Sequence, residues 1–110
     1  MRELSLLLLD MVEACERMHI FVGNVRRDDF AGSVERLAIE RLLMVVGEAA
    51  KAVPREVQVQ APDVPWRALA GMRDRLSHAY ADTDIDVVWT AAADHAPRTA
   101  AALRALLAEM

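Results

Sequence analysis

The eight residues RDRLSHAY, Arg73 to Tyr80, gather two arginines, an aspartate, a histidine and a tyrosine in an otherwise apolar chain. These groups suit phosphate chemistry. A guanidinium holds a phosphate by paired charge-assisted hydrogen bonds and stabilises the charge that builds during attack on phosphorus. An imidazole titrates near neutrality and moves protons as acid or base. Asp74 can orient a neighbouring side chain or contact a ribose 2′-hydroxyl. Together they form a minimum set for cutting RNA without a metal. The 2′-oxygen attacks the adjacent phosphorus, one group takes its proton, and another protonates the leaving oxygen.

Spacing restricts how such a set can work. On an ideal helix Arg73 and Tyr80 lie about 20° apart, two turns along one face, whereas His78 lies about 140° round from Arg73 and about 7.5 Å along the axis. One straight helix does not aim Arg73 and His78 at the same atom. Either the helix ends near Ser77 and lets His78 swing back, or two subunits each supply a pair to a shared site across a two-fold axis. A competing reading needs no chemistry: Arg and His in a last turn are favoured by the helix dipole alone, and Asp74 can pair with a surface charge.

The elements that must carry this segment are helical. The chain has 110 residues, 55% hydrophobic and only 5% aromatic, with four Gly and four Pro. Length and composition fit one domain, residues 1–110, with a single core. Apolar residues recur at three–four spacing from about Arg2 to Val22 (Leu4, Leu7, Leu8, Met11, Val12, Cys15, Met18), with Gly23 and Asn24 as a stop. A second helix is expected from about Ser33 to Val53, ended by Pro54. Its apolar surface is too broad for an ordinary surface helix, so burial on two sides is expected, by the core and by a partner subunit. The segment PREVQVQAPDVPW carries three prolines and reads as a loop with a helical turn. Pro65 suits the first helical position of a third helix, from Trp66 to about Ser77. A fourth starts near Ile85 after several N-cap candidates, and Pro97 should kink or split it. The fold class is therefore all-α, a four- to five-helix up-and-down bundle.

Charge and cysteine content narrow the function. The net charge of −4 argues against a general nucleic-acid coat, though not against a local basic site. Lys51 is the only lysine among 13 basic residues. This preference for arginine suits phosphate partners and also fits a plain compositional bias. Cys15 is the only cysteine, so no internal disulfide forms, which fits a reducing cytosol. The run LSLLLLDMV is too short to span a bilayer and is interrupted by Asp10, with Glu13 just beyond. A soluble cytoplasmic protein is expected, with no membrane and no DNA partner. Cys15 and His19 are i and i+4, half of a possible zinc site. Without a second pair they read as a packed thiol and a surface imidazole, and no metal or cofactor is expected. His95 reads as surface or dimer edge, Arg26 and Arg27 as a solvated turn, and the two tryptophans as core anchors.

At these residues the sequence resembles a known family. RDRLSHAY is similar to the R-x4-H-x-Y signature of the HEPN-domain toxins, in the HepT-like ribonuclease branch. VGEAAKAVP (Val46 to Pro54), PDVPWRALAGMRDRLSHAY (Pro62 to Tyr80) and DIDVVW (Asp84 to Trp89) agree in the same order. The resemblance implies a HEPN-like bundle that forms a homodimer, with a metal-independent endoribonuclease site built from both protomers. It implies Arg73 and His78 as the catalytic pair, with Asp74 and Glu48 in support. It further implies an RNA substrate, tRNA or mRNA. It implies a nucleotidyltransferase antitoxin that silences the toxin by AMPylation of Tyr80, as a type VII-like toxin–antitoxin module. Asp74 departs from the asparagine often found there, and its charge near a scissile phosphate could lower activity. The alternative is a non-catalytic HEPN-like subunit that scaffolds a nucleotidyltransferase.

Overall fold

The computed structural model describes residues 2–79 and 83–110, and all regular elements among them are helical. Helix α1 spans Leu4–Gly23, α2 Val34–Ala52, α3 Arg55–Gln58, α4 Trp66–Ala79, α5 Ile85–Thr90 and α6 Ala96–Ala108. A 3-10 turn, Arg27–Asp29, lies between α1 and α2, and a π-helical turn, Ala91–His95, joins α5 to α6.

Local chemistry sets most boundaries. Helix α1 buries Leu8, Met11, Val12, Cys15 and Met18, the stripe its spacing predicts. It ends after Gly23 without a left-handed residue, since no described glycine has positive φ. The N-terminus of α2 is capped by Ser33, whose Oγ accepts from the Arg36 N–H at 3.0 Å and donates to the Phe30 carbonyl at 2.7 Å. Glu35 in its first turn and Lys51 in its last complement the helix dipole. Asp84 caps α5 by accepting from the Asp86 N–H at 2.8 Å. The expected break at Pro97 takes the form of the π turn just before it. Pro97 then sits in the first turn of α6, where its missing N–H leaves no bond unmade. Pro65 stands one position before its expected place: it precedes α4, and its carbonyl accepts from the Leu69 N–H at 2.9 Å. The helical turn expected in the proline-rich loop is α3.

Helix α1 lies between α2 and α6, and α4 packs on the other side of α2. The neighbours of α1 run antiparallel to it. Leu7 and Asp10 share a groove with Met44 to Ala52, while Ile20 and Phe21 face Ala38 and Leu42. On the far side Arg104 of α6 donates twice to Glu16 of α1, each at 2.8 Å. The core joins Leu8, Met11, Met18, Ile39, Leu43, Val46, Leu69, Met72, Leu76, Val88 and Leu103, with Phe30 fully buried.

One reading of a surface residue changes in the fold. Arg27 is no solvated turn. It pairs with Asp86 and lies 5.7 Å from the Trp89 ring centroid, and Phe30 meets the same ring edge-on at 5.0 Å. This staple fastens the segment before α2 to the start of α5. The tryptophans sit half-buried at the edge of the core, because each has a polar or charged neighbour to serve. The Trp66 indole N–H points at the Gln58 and Ala61 carbonyls, 3.1 Å from each, and ties down the α3 loop. Phe30→Ala removes the buried half of the staple. It should cost about 3–5 kcal/mol, read as a lower urea midpoint with an unchanged slope.

Candidate active site

Helix α4 continues unbroken through Ala79. The expectation that it might end near Ser77 is therefore not met, because backbone hydrogen bonding carries His78 along the same axis as Arg73. Asp74 and His78 stand one turn apart, about 40° round the helix, whereas Arg73 is rotated toward α2. His78 is exposed and Arg73 half-buried. Tyr80 lies outside the described residues.

The position of Arg73 depends on a close crossing of α2 and α4. A Cβ added to Gly47 would overlap Arg73 Cβ and lie 2.7 Å from the Leu69 carbonyl oxygen. Glycine, with no Cβ, is what lets the α4 backbone approach here. Against this contact the Arg73 side chain reaches along α2, and its Nε forms an ion pair with Glu48 at 2.9 Å. In the fold Glu48 thus pairs with Arg73. Lys51, one turn further along α2, donates instead to Asp74 Oδ1 at 3.0 Å. The same oxygen lies 3.5 Å from Arg73 Nη1. Two cations and two carboxylates thus alternate across the α2–α4 seam. The Lys51 ammonium, and after it the Arg73 guanidinium, hold the Asp74 carboxyl below the usual range, so it is ionised at neutral pH. These side chains remain open to solvent (Glu48 66% and Asp74 51% exposed), so their pairing adds little to stability. It does orient the guanidinium, between Glu48 at Nε and Asp74 at Nη1.

A groove of about 420 Å³ opens beside Arg73, with an apolar floor of Leu7, Met44, Val45 and Ala49 and with Glu48 and Arg41 at its rim. Arg41 also borders a second groove of about 490 Å³ walled by Ile20, Phe21, Ala38 and Leu42. Around it Val34 (75%), Leu37 (66%) and Ile20 (63%) are exposed. The outward side of α2 is thus apolar at its N-terminal end, at Val34 and Leu37, and charged beyond it, at Arg41, Glu48 and Lys51.

Other candidates do not join the site. Cys15 is fully buried, and burial pushes its thiol up to about 12, so it is an inert packed group. His19 is exposed above it, and among the described residues no cluster of three or more His, Cys, Asp or Glu is placed to hold a metal. His95 is half-buried beside Asp94, at 3.8 Å, in the π turn. Among the described residues no helix is long and apolar enough to cross a membrane. Gly47 escaped the residue-by-residue reading, though it had a signal, a lone glycine inside a strongly helical pattern.

The HepT-like family model, described as ribonuclease HepT-like, matches residues 11–106. A protein of Thermococcus cleftensis named probable ribonuclease HepT is 35% identical over 89 residues, covering 80% of this chain and 81% of its own length. A protein of Methanocaldococcus jannaschii named "Putative RNase" is 34% identical over 92 residues, 83% of this chain and 76% of its own. No solved structure matches the chain.

Proposed function

Because this chain belongs to the HepT-like ribonuclease family, we propose that it is a metal-independent endoribonuclease whose active site is shared by two copies of the chain. The observation that carries this reading is the unbroken α4, with Arg73 and His78 on different faces of one rigid helix. A single copy presents a phosphate-binding group and a proton-transfer group in divergent directions. Two copies facing each other bring the guanidinium of one opposite the imidazole of the other. The exposed apolar N-terminal end of α2 and the apolar floor of the groove beside Arg73 supply a face for that pairing. Its exposed Val34 and Leu37 leave water when a second copy covers them.

In this site Arg73 holds the non-bridging phosphate oxygens and stabilises the extra charge of the five-coordinate phosphorus. One His78 takes the 2′-hydroxyl proton as the 2′-oxygen bonds to phosphorus. The other gives a proton to the 5′-oxygen as the bond from phosphorus to that oxygen breaks. The products are a 2′,3′-cyclic phosphate and a 5′-hydroxyl. Glu48 holds Arg73 in place. Asp74 stands beside Arg73, its charge shared with Lys51.

The same reading makes the chain the toxin of a pair whose partner, a nucleotidyltransferase antitoxin, transfers AMP to the Tyr80 hydroxyl with release of pyrophosphate. An adenylyl phosphate on this residue, seven positions after Arg73 in the sequence, competes with RNA for the guanidinium and repels the backbone by like charge.

Purified protein should cleave RNA in the presence of a chelator and leave a substrate with a 2′-deoxy residue at the cut intact. Cleavage of the deoxy substrate, or complete loss with chelator restored by a divalent cation, excludes this chemistry. Tyr80→Phe should remain toxic in cells and escape modification by the nucleotidyltransferase. Modification that persists in this variant removes Tyr80 from the scheme.

A further inference from the structure

Asp74 creates a difficulty for any phosphate site at Arg73. Its Oδ1 stands 3.5 Å from Arg73 Nη1, on the edge of the guanidinium that Glu48 leaves open. An ionised carboxylate there competes with a phosphate oxygen for that N–H and repels it. Yet the same Oδ1 is closer to the Lys51 ammonium, at 3.0 Å, and Lys51 comes from the opposite helix.

We propose that Lys51 is a positioning residue of this site: its ammonium draws the Asp74 carboxylate onto α2 and offsets its charge, keeping the outer edge of Arg73 available to an RNA phosphate. The inference rests on the ribonuclease reading given above. The geometry assigns distinct tasks to the two carboxylates. Glu48 pairs with Arg73 at Nε and so aims the guanidinium. Asp74 lies beside Nη1 and would block it if left unpartnered. A compact ammonium suits this task, because it neutralises one carboxylate at a point and does not span to Glu48 as a planar fork would. Stability gives no reason for the pair, since Lys51 and Asp74 are 43% and 51% exposed. It is also the only use the chain makes of lysine, among 13 basic residues.

The test is a double-mutant cycle on RNA cleavage at neutral pH and low salt. Lys51→Met should lower cleavage by about tenfold in the native background, the size of one uncompensated charge near the reacting phosphate. In the Asp74→Asn background the same substitution should change the rate less than about twofold. Lys51→Arg should keep most of the activity, since it restores a cation. An equal loss in both backgrounds would mean that Lys51 contacts RNA itself, and no loss in either would mean that the pair is idle; both results overturn the proposal. A second measurement needs no substrate. The NMR titration of the Asp74 carboxyl should move upward in Lys51→Met with the fold unchanged. An unmoved titration overturns the pairing even if the wild-type chain cuts no RNA, an outcome that by itself counts against the ribonuclease reading.

Discussion

Arg73→Ala and His78→Ala should each reduce RNA cleavage by about 10³-fold, while an equal mixture of the two inactive proteins, refolded together, cleaves well above either parent. The first part follows from the tasks of the two groups. Removing the guanidinium leaves the growing phosphorane charge without its donor, and removing the imidazole leaves both proton transfers to water. Neither change should unfold the chain. His78 is exposed, and the Arg73 ion pair involves a Glu48 that is 66% exposed, so stability should move by no more than about 1 kcal/mol. The second part distinguishes a shared site from one built within a single copy. In a mixed dimer one subunit retains Arg73 and the other retains His78, so a site that draws on both copies regains a guanidinium and one of its two imidazoles, enough to assist one of the two proton transfers. A site within one copy stays dead in every combination. Arg73→Lys should recover only a part of the loss, because a point charge lacks the bidentate fork.

Gly47→Ala should lower cleavage by about 10²-fold, the scale of a small misplacement of a reacting group, although no reacting group is changed. In an isolated helix this substitution is favourable by about 1 kcal/mol. Here the new methyl group meets Arg73 Cβ and a backbone oxygen, the Leu69 carbonyl, 2.7 Å away. Backbone cannot swing aside as a flexible side chain does, so α4 must shift outward, at a cost of about 1–3 kcal/mol. Arg73 stands at the contact and moves with it, away from Glu48. Gly71→Ala is the internal control, because a Cβ there meets nothing within 4 Å. That variant should gain helix stability and keep its cleavage rate. Thermal midpoints and single-turnover rates of the two variants, measured side by side, decide the matter. If Gly47→Ala is as active as the wild type and more stable, the helices have room to spare, and the close crossing does not position Arg73.

How far the chain could be read without its fold depends on the range of the interaction. Three–four spacing marked the α1 stripe from Leu8 to Met18, and Ser33 and Pro54 bracketed α2, because these signals act within one or two turns. The chemical character of RDRLSHAY was equally plain, since side-chain type alone decides which groups carry charge or move protons. The length of α4 was not: nothing near Ser77 says that the helix reaches Ala79, and that continuation is what sets Arg73 and His78 on separate faces. Nor could spacing tell whether Glu48 would meet Arg73 or Lys51, since partners some 25 residues apart are chosen by where α2 and α4 cross. That crossing is set by a missing Cβ at Gly47 and by the packing of Leu69 and Leu76 into the core. Local periodicity determined the helices and the reagents they carry. Only tertiary packing decided which carboxylate aims the guanidinium and which is held by the lysine, because a difference of a few tenths of an ångström in helix approach changes which charged ends can touch.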